Sequence, residues 1–186
     1  IGSYGDSAWA VMAIAAAGEG PNSFGCPSVV DYIKDNADQL GSEFNLGAGL
    51  ARVVLAAVAA CGDPSAFGNG DPTIAPDGDY LSALKALHNG TQFTDGFGST
   101  DTLNDDIWGV MALIAAGEPQ SSPMVTSTAA FIEANQGFDG GWSWATPVNP
   151  WYWGSDTDDT AAALMALAAA GGASDQTIVD YAVMYM

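Results

Sequence analysis

Basic residues are almost missing from this chain. Lys34, Arg52 and Lys85 are the only strong bases against 22 acids in 186 residues, which leaves a formal net charge of −19. A surface so acidic repels nucleic acid and anionic membranes, and it draws cations instead. Cysteine is scarce as well: Cys26 and Cys61 stand alone, neither in a CxxC pair, and with the single His88 they make no zinc ligand set. The two thiols either join in one disulfide or sit apart as small buried residues, and both readings stay open. Long apolar runs are also lacking. The alanine-rich stretches are broken by glycine or charge well before the 18 or so residues that a membrane span needs. There is no initiator Met and no signal peptide, so a chain beginning at Ile1 is expected to be a processed mature protein or an excised fragment.

What is abundant is small and apolar. Hydrophobic residues make up 48% of the chain, enough for a sizeable core and too much for disorder. Much of that share is alanine, which lets helices approach closely but buries little area per residue. Stability is therefore expected from many close helix contacts. Few bases, plentiful Gly, Ser, Thr and aromatics, and the glycosylation-type triplet Asn89-Gly90-Thr91 lean towards an extracellular or cell-surface location.

The same segment recurs four times. Ala8-Trp9-Ala10-Val11-Met12-Ala13-Ile14 is echoed by Ile107-Trp108-Gly109-Val110-Met111-Ala112-Leu113, again from Ala161 to Gly171, and more loosely from Ala51 to Gly62. Each copy has about three turns free of breakers and ends on a glycine suited to a left-handed cap. Apolar nearly all round, these segments read as buried helices. A more amphipathic segment follows each one: Ser28 to Leu40, Asp79 to His88, Pro123 to Gln136 and Ser174 to Met186. Such an alternation predicts an all-α fold of four helical hairpins in two concentric layers, a partial or small α/α-toroid. The whole chain, 1–186, is one repeat domain, with repeats at approximately 1–42, 43–95, 96–140 and 141–186, the first and last incomplete. The Pro- and Gly-rich stretch from Gly62 to Gly78 is an inserted loop.

Two motifs carry a resemblance. Phe131-Ile132-Glu133-Ala134-Asn135-Gln136-Gly137-Phe138-Asp139-Gly140-Gly141-Trp142 resembles the QW motif of triterpene cyclases, and Ser155-Asp156-Thr157-Asp158-Asp159-Thr160-Ala161 resembles the acidic signature of class II terpene cyclases. The chain is thus similar to the prenyltransferase and squalene-cyclase repeat family, as a non-enzymatic secreted or surface member. The resemblance implies a structural role for Gln136, Gly140 and Trp142, with Gln136 bonding the start of a following helix. If the chain is an enzyme, it implies that Asp158, helped by Asp156 and Asp159, protonates an alkene or epoxide, since crowded carboxylates keep one acid protonated. Such cyclases, however, use a longer chain that encloses the carbocation. The acidic start also recurs at Asp6-Ser7 and Asn104-Asp105-Asp106, where it reads as helix capping.

Binding sites are expected elsewhere. The cluster of Trp142, Trp144, Trp151, Tyr152 and Trp153 beside Asp139, Asn149 and Asp156 offers a platform for a glycan or a small apolar ligand. Asn69, Asp71, Asp77 and Asp79, and the run Asp101, Asp105 and Asp106, are oxygen-rich candidates for Ca²⁺, the one cofactor that this composition invites. The apolar end Tyr181 to Met186 and the unfinished terminal repeats are expected to self-associate. The functional expectation is a module for ligand binding or subunit assembly. A cyclase-like enzyme and a calcium-stabilised structural domain are its alternatives.

Overall fold

The structure is a computed structural model that describes residues 4–147 and 154–186. The described residues are all-α, with eight α-helices: α1 (Tyr4–Ala16), α2 (Val29–Asp35), α3 (Leu46–Ala59), α4 (Tyr80–Ala86), α5 (Asn104–Ala115), α6 (Pro123–Ala134), α7 (Thr157–Ala169) and α8 (Gln176–Tyr185). No helix is long and apolar enough to cross a membrane among these residues. The odd-numbered helices pack in series, α1 on α3, α3 on α5 and α5 on α7, and each even-numbered helix packs on the odd one before it.

Each odd helix closes with the same pair of bonds, in which a left-handed residue lets the next amide reach back to an exposed carbonyl. Gly18 (φ 80°), Gly117 (φ 90°) and Gly171 (φ 114°) do this at α1, α5 and α7. At α3 the left-handed residue is Cys61 (φ 56°), and Gly62 N–H is the amide that bonds Ala57 O. The cap therefore sits one residue earlier than the glycine pattern predicts. Alignment on Cys61 brings Leu55 into line with Met12, Met111 and Met165, and Arg52 into line with Trp9 and Trp108. Both cysteines are free and exposed, so neither the disulfide nor the buried pair describes them.

Helix α2 stops at Asp35, and a 3₁₀ segment (Ala37–Ser42) replaces the rest of the helix expected to reach Leu40. Ser28 starts α2 with a reciprocal capping box to Asp31, as its sequence position favours. The loop between Gly62 and Gly78 is pinned by Phe67, which is buried edge-to-face with Tyr80 at 6.5 Å and has the Lys34 ammonium over its ring, 4.9 Å from the centroid.

Burial separates the middle of the array from its flanks. From Gly47 to Ala57 on α3 and from Asp105 to Leu113 on α5, every position except Arg52 and Leu55, or Trp108 and Met111, is sealed. The expectation that all four odd helices are buried all round does not hold for α1 and α7. Ala161 is exposed and Leu164 half-exposed, whereas Ala51, Val54, Ile107 and Val110 at the same repeat positions are fully buried. On α1 Asp6, Trp9, Ala13 and Ala16 are exposed and Ala10 is half-buried. Close packing needs a neighbour on both sides, and the first and last odd helices each have only one.

Candidate binding cleft

The loops that precede α5 and α7 are built as clasps, and they set the walls of the cleft. Before α7, Trp142 is fully buried; its ring N–H donates to Ile132 O at the end of α6 (2.7 Å), and its backbone N–H donates to Thr160 Oγ1 on α7 (2.9 Å). Two residues on, the carbonyl of Trp144 accepts from Leu103 N–H at the start of α5 (2.7 Å). Before α5 the same scheme holds. Phe93 N–H donates to Asp106 Oδ1 (2.7 Å), and two residues on Asp95 O accepts from Leu46 N–H at the start of α3 (2.8 Å). Each loop thus ties its own odd helix to the N-terminus of the preceding one, where free amides need acceptors. Gly47 and Gly109 make room for this: a Cβ at Gly47 would lie 2.5 Å from Thr94 O, and one at Gly109 2.7 Å from the Phe93 ring.

Asp106 therefore stands where Thr160 stands in the next repeat. It is fully buried, its Oδ2 has no hydrogen-bond donor, and burial followed by the charge of Asp105 pushes its carboxyl up to about 9. Asp105 is equally buried, accepts from Thr102 Oγ1 at 3.0 and 3.1 Å, and is pushed up to about 7, chiefly by desolvation. These two acids do not cap their own helix, as the sequence pattern suggests. The N-cap position of α5 is Leu103 and makes no side-chain bond. The acids hold the neighbouring loop instead. Asp156 does cap α7, accepting from Asp159 N–H at 2.7 Å. Asp159 is pushed up to about 7 by desolvation and by the adjoining Asp156 carboxyl. Asp158, the acid that a cyclase would use, is exposed on the first turn of α7 and lines none of the clefts described below.

Gln136 donates to Gly140 O and to Ile178 O on the first turn of α8, both at 2.8 Å. Asp139 accepts from Ser155 Oγ (2.8 Å), and Tyr185 OH bonds Ser155 O, so this loop seats α8.

Of the expected aromatic platform the described residues include Trp142 and Trp144, and these two part company. Trp142 has no face left for a ligand, since its ring lies in the core. Trp151, Tyr152, Trp153 and Asn149 lie outside the described residues. Trp144 instead lines a cleft of about 450 Å³ with Phe44, Asp95, Ser99, Asp101, Thr102 and Thr146. Phe44, 81% exposed, also borders a second cleft of about 300 Å³, where Trp9 and Trp108 meet edge to face at 4.7 Å beside the Arg52–Glu43 ion pair (2.8 Å). Sequence reading missed Phe44, whose only signal is a large aromatic in a polar loop.

The oxygen-rich residues do not converge. Among the described residues no group of three or more His, Cys, Asp or Glu side chains is placed to hold a metal ion. Asp71 is spent on Thr73 and Ile74, Asp79 caps α4 through Ser82 N–H, and Asp77 takes a left-handed turn (φ 58°). Asn69 and Asp101 are exposed. Asp105 and Asp106 are shut inside the protein.

No family profile, curated protein or solved structure matches the chain.

Proposed function

We propose that the chain is a repeat module of the α/α-toroid kind, with the odd-numbered helices as its inner layer and the even-numbered ones as its outer layer, and that it works by assembling with further copies of itself. The observation that carries this reading is the contrast in burial between equivalent faces. Ala161, Leu164 and Met165 on α7 are open or half-open, although the positions matching the first two are sealed on α3 and α5. On the same side of the array α8 exposes Tyr181, Val183 and Met184. Helix α1 offers a groove of about 580 Å³ on its own open side, lined by Asp6, Ala10, Phe24, Cys26, Val29 and Tyr32. Exposed apolar side chains at one end and an apolar groove at the other suit head-to-tail contact, which leaves the repeat running on from copy to copy.

The acids at the helix starts support a non-catalytic reading, because Asp106 does for Phe93 what the hydroxyl of Thr160 does for Trp142. We place the module outside the cell or at its surface, a setting that suits its acidity and the exposed Asn89-Gly90-Thr91 turn.

Cys26 lies in the groove and Cys61 at the far end of α3, and both are exposed, so thiol labelling distinguishes the two. As protein concentration rises, labelling of Cys26 slows while that of Cys61 stays constant. Equal labelling rates at all concentrations would rule out the groove as the contact.

A further inference from the structure

We propose that the cleft between Phe44 and Trp144 is a binding site for a small quaternary ammonium group. Three observations lead there. The first is charge. Asp95 and Asp101 line the cleft, and among the described residues the Asp101 carboxylate has no hydrogen-bond or ion-pair partner. Each of the three strong bases is committed elsewhere: Arg52 to Glu43 at 2.8 Å, Lys85 to Glu118 at 2.7 Å, and Lys34 over the Phe67 ring. Among the described residues no basic side chain neutralises the cleft, so a cation from solution is favoured.

The second is the wall material. Phe44 and Trp144 put two aromatic rings around the space, and aromatic faces attract cations that shed water easily. The third is what the polar lining has left to give. Asp95 Oδ1 already accepts from Phe97 N–H (2.8 Å) and Ser99 N–H (2.9 Å), and Ser99 Oγ accepts from Asp101 N–H (3.1 Å). Thr102 Oγ1 donates to Asp105 and accepts from Asn45 Nδ2 (3.1 Å), while Thr146 Oγ1 donates to Thr100 O (3.4 Å). A sugar needs free donors as well as acceptors, and what this lining leaves over is mainly acceptor oxygen, on Asp101 and on Asp95 Oδ2. A primary ammonium could use those oxygens but sheds its water less readily against aromatic rings. Ca²⁺ needs six or more oxygens. A quaternary ammonium needs none of these, only negative potential and ring faces, and the cleft supplies both. At about 450 Å³ it takes the head group with the chain that carries it.

Calorimetric titration of the full chain with choline, and with its neutral isostere 3,3-dimethyl-1-butanol, tests the proposal. Phe44 and Asp101 are both exposed, so Phe44→Ala and Asp101→Asn leave the fold intact, which circular dichroism verifies. Choline binds and the neutral isostere does not. Phe44→Ala weakens choline about 2- to 30-fold, the range of one cation–π contact. Asp101→Asn weakens it too, and added NaCl weakens it in the parent chain. Equal binding of choline and the isostere overturns the site, as does choline binding untouched by both substitutions. Preference for Ca²⁺, glucose or methylamine over choline overturns the assignment of the ligand.

Discussion

Ile107 on α5 and Ala161 on α7 occupy the same place in the repeat, yet Ile107 is sealed from water and Ala161 is open to it. Nothing in the two helices as isolated segments explains this. Both begin with acids, both run about three apolar turns and both close on a left-handed glycine. The difference comes from their neighbours: α5 has an odd helix on each side, α3 and α7, while α7 packs on α5. In a stacked array each unit's stability is its own plus that of its interfaces, so a flanking unit lacks one interface contribution and keeps the surface meant for it. The middle of this molecule shows what the flanks look like when covered.

The largest effect expected from this contrast is on stability. Ile107→Ala removes a fully buried side chain and costs about 2–5 kcal/mol in urea unfolding. At the matching position of α7, Ala161→Ser stays within about 0.5 kcal/mol, as for a surface change, when measured at a dilution that keeps the chain monomeric. Similar costs at the two positions would mean that the α7 face is already covered within one chain.

A second contrast lies at the helix starts, where Asp106 in one repeat stands for Thr160 in the next. The folded carboxyl of Asp106 titrates near 9, and an unfolded aspartate near 4. Between those values the folded chain holds a proton that the unfolded chain has released. Stability therefore falls as pH rises through this window and levels off above about 9. Asp105 and Asp159, each near 7, add to the fall only in the lower part of the window. From about pH 7 to 9 the slope belongs to Asp106. Asp106→Thr keeps an oxygen for Phe93 N–H and flattens that upper slope, which thermal melts across pH would reveal. An unchanged slope in the variant would show that Asp106 is ionised in the folded protein.

A smaller effect comes from charge. Copies carrying −19 each repel one another, and Asp6 and Asp158 sit on the two faces proposed to meet. Screening reduces that repulsion, so self-association strengthens between low salt and about 0.15 M, where the Debye length falls to about 8 Å. Weaker association with added salt would point to an ion-paired contact instead of an apolar one.

The periodic part of the fold was legible in the sequence because helices answer to local spacing and to caps. The α5 and α7 repeats, with Trp108 or Leu164 inside and Gly117 or Gly171 at the end, place their helices, although these start earlier than the apolar copies at Ile107 and Ala161, at Asn104 and Thr157. The α3 cap was misplaced by one because Gly62 looks like the left-handed residue, while Cys61 takes that strain and Gly62 supplies the returning amide. The early end of α2 was hidden for a similar reason. Asn36 turns its side chain back onto Tyr32 O (2.9 Å), a local competition that apolar spacing does not register. The site was less legible than the helices. Trp142 and Trp144 are near neighbours in sequence, and only the clasp sends the first into the core and leaves the second beside Phe44, a hundred residues away in the chain by rough count. Long-range placement of this kind is written in packing, and Gln136 reaching Ile178 is another instance.

The claim at the centre of this account is that the open face of α7 and α8 is covered by a second copy. Sedimentation velocity over a wide concentration range, on the parent chain and on a Met165→Asp, Met184→Asp variant, tests it most directly. Both methionines are exposed, at 59% and 80%, so the variant folds as the parent does. The parent chain is expected to shift to larger species as concentration rises, and the variant to remain monomeric. A parent chain that sediments as a monomer throughout, or a variant that associates just as well, would contradict the claim.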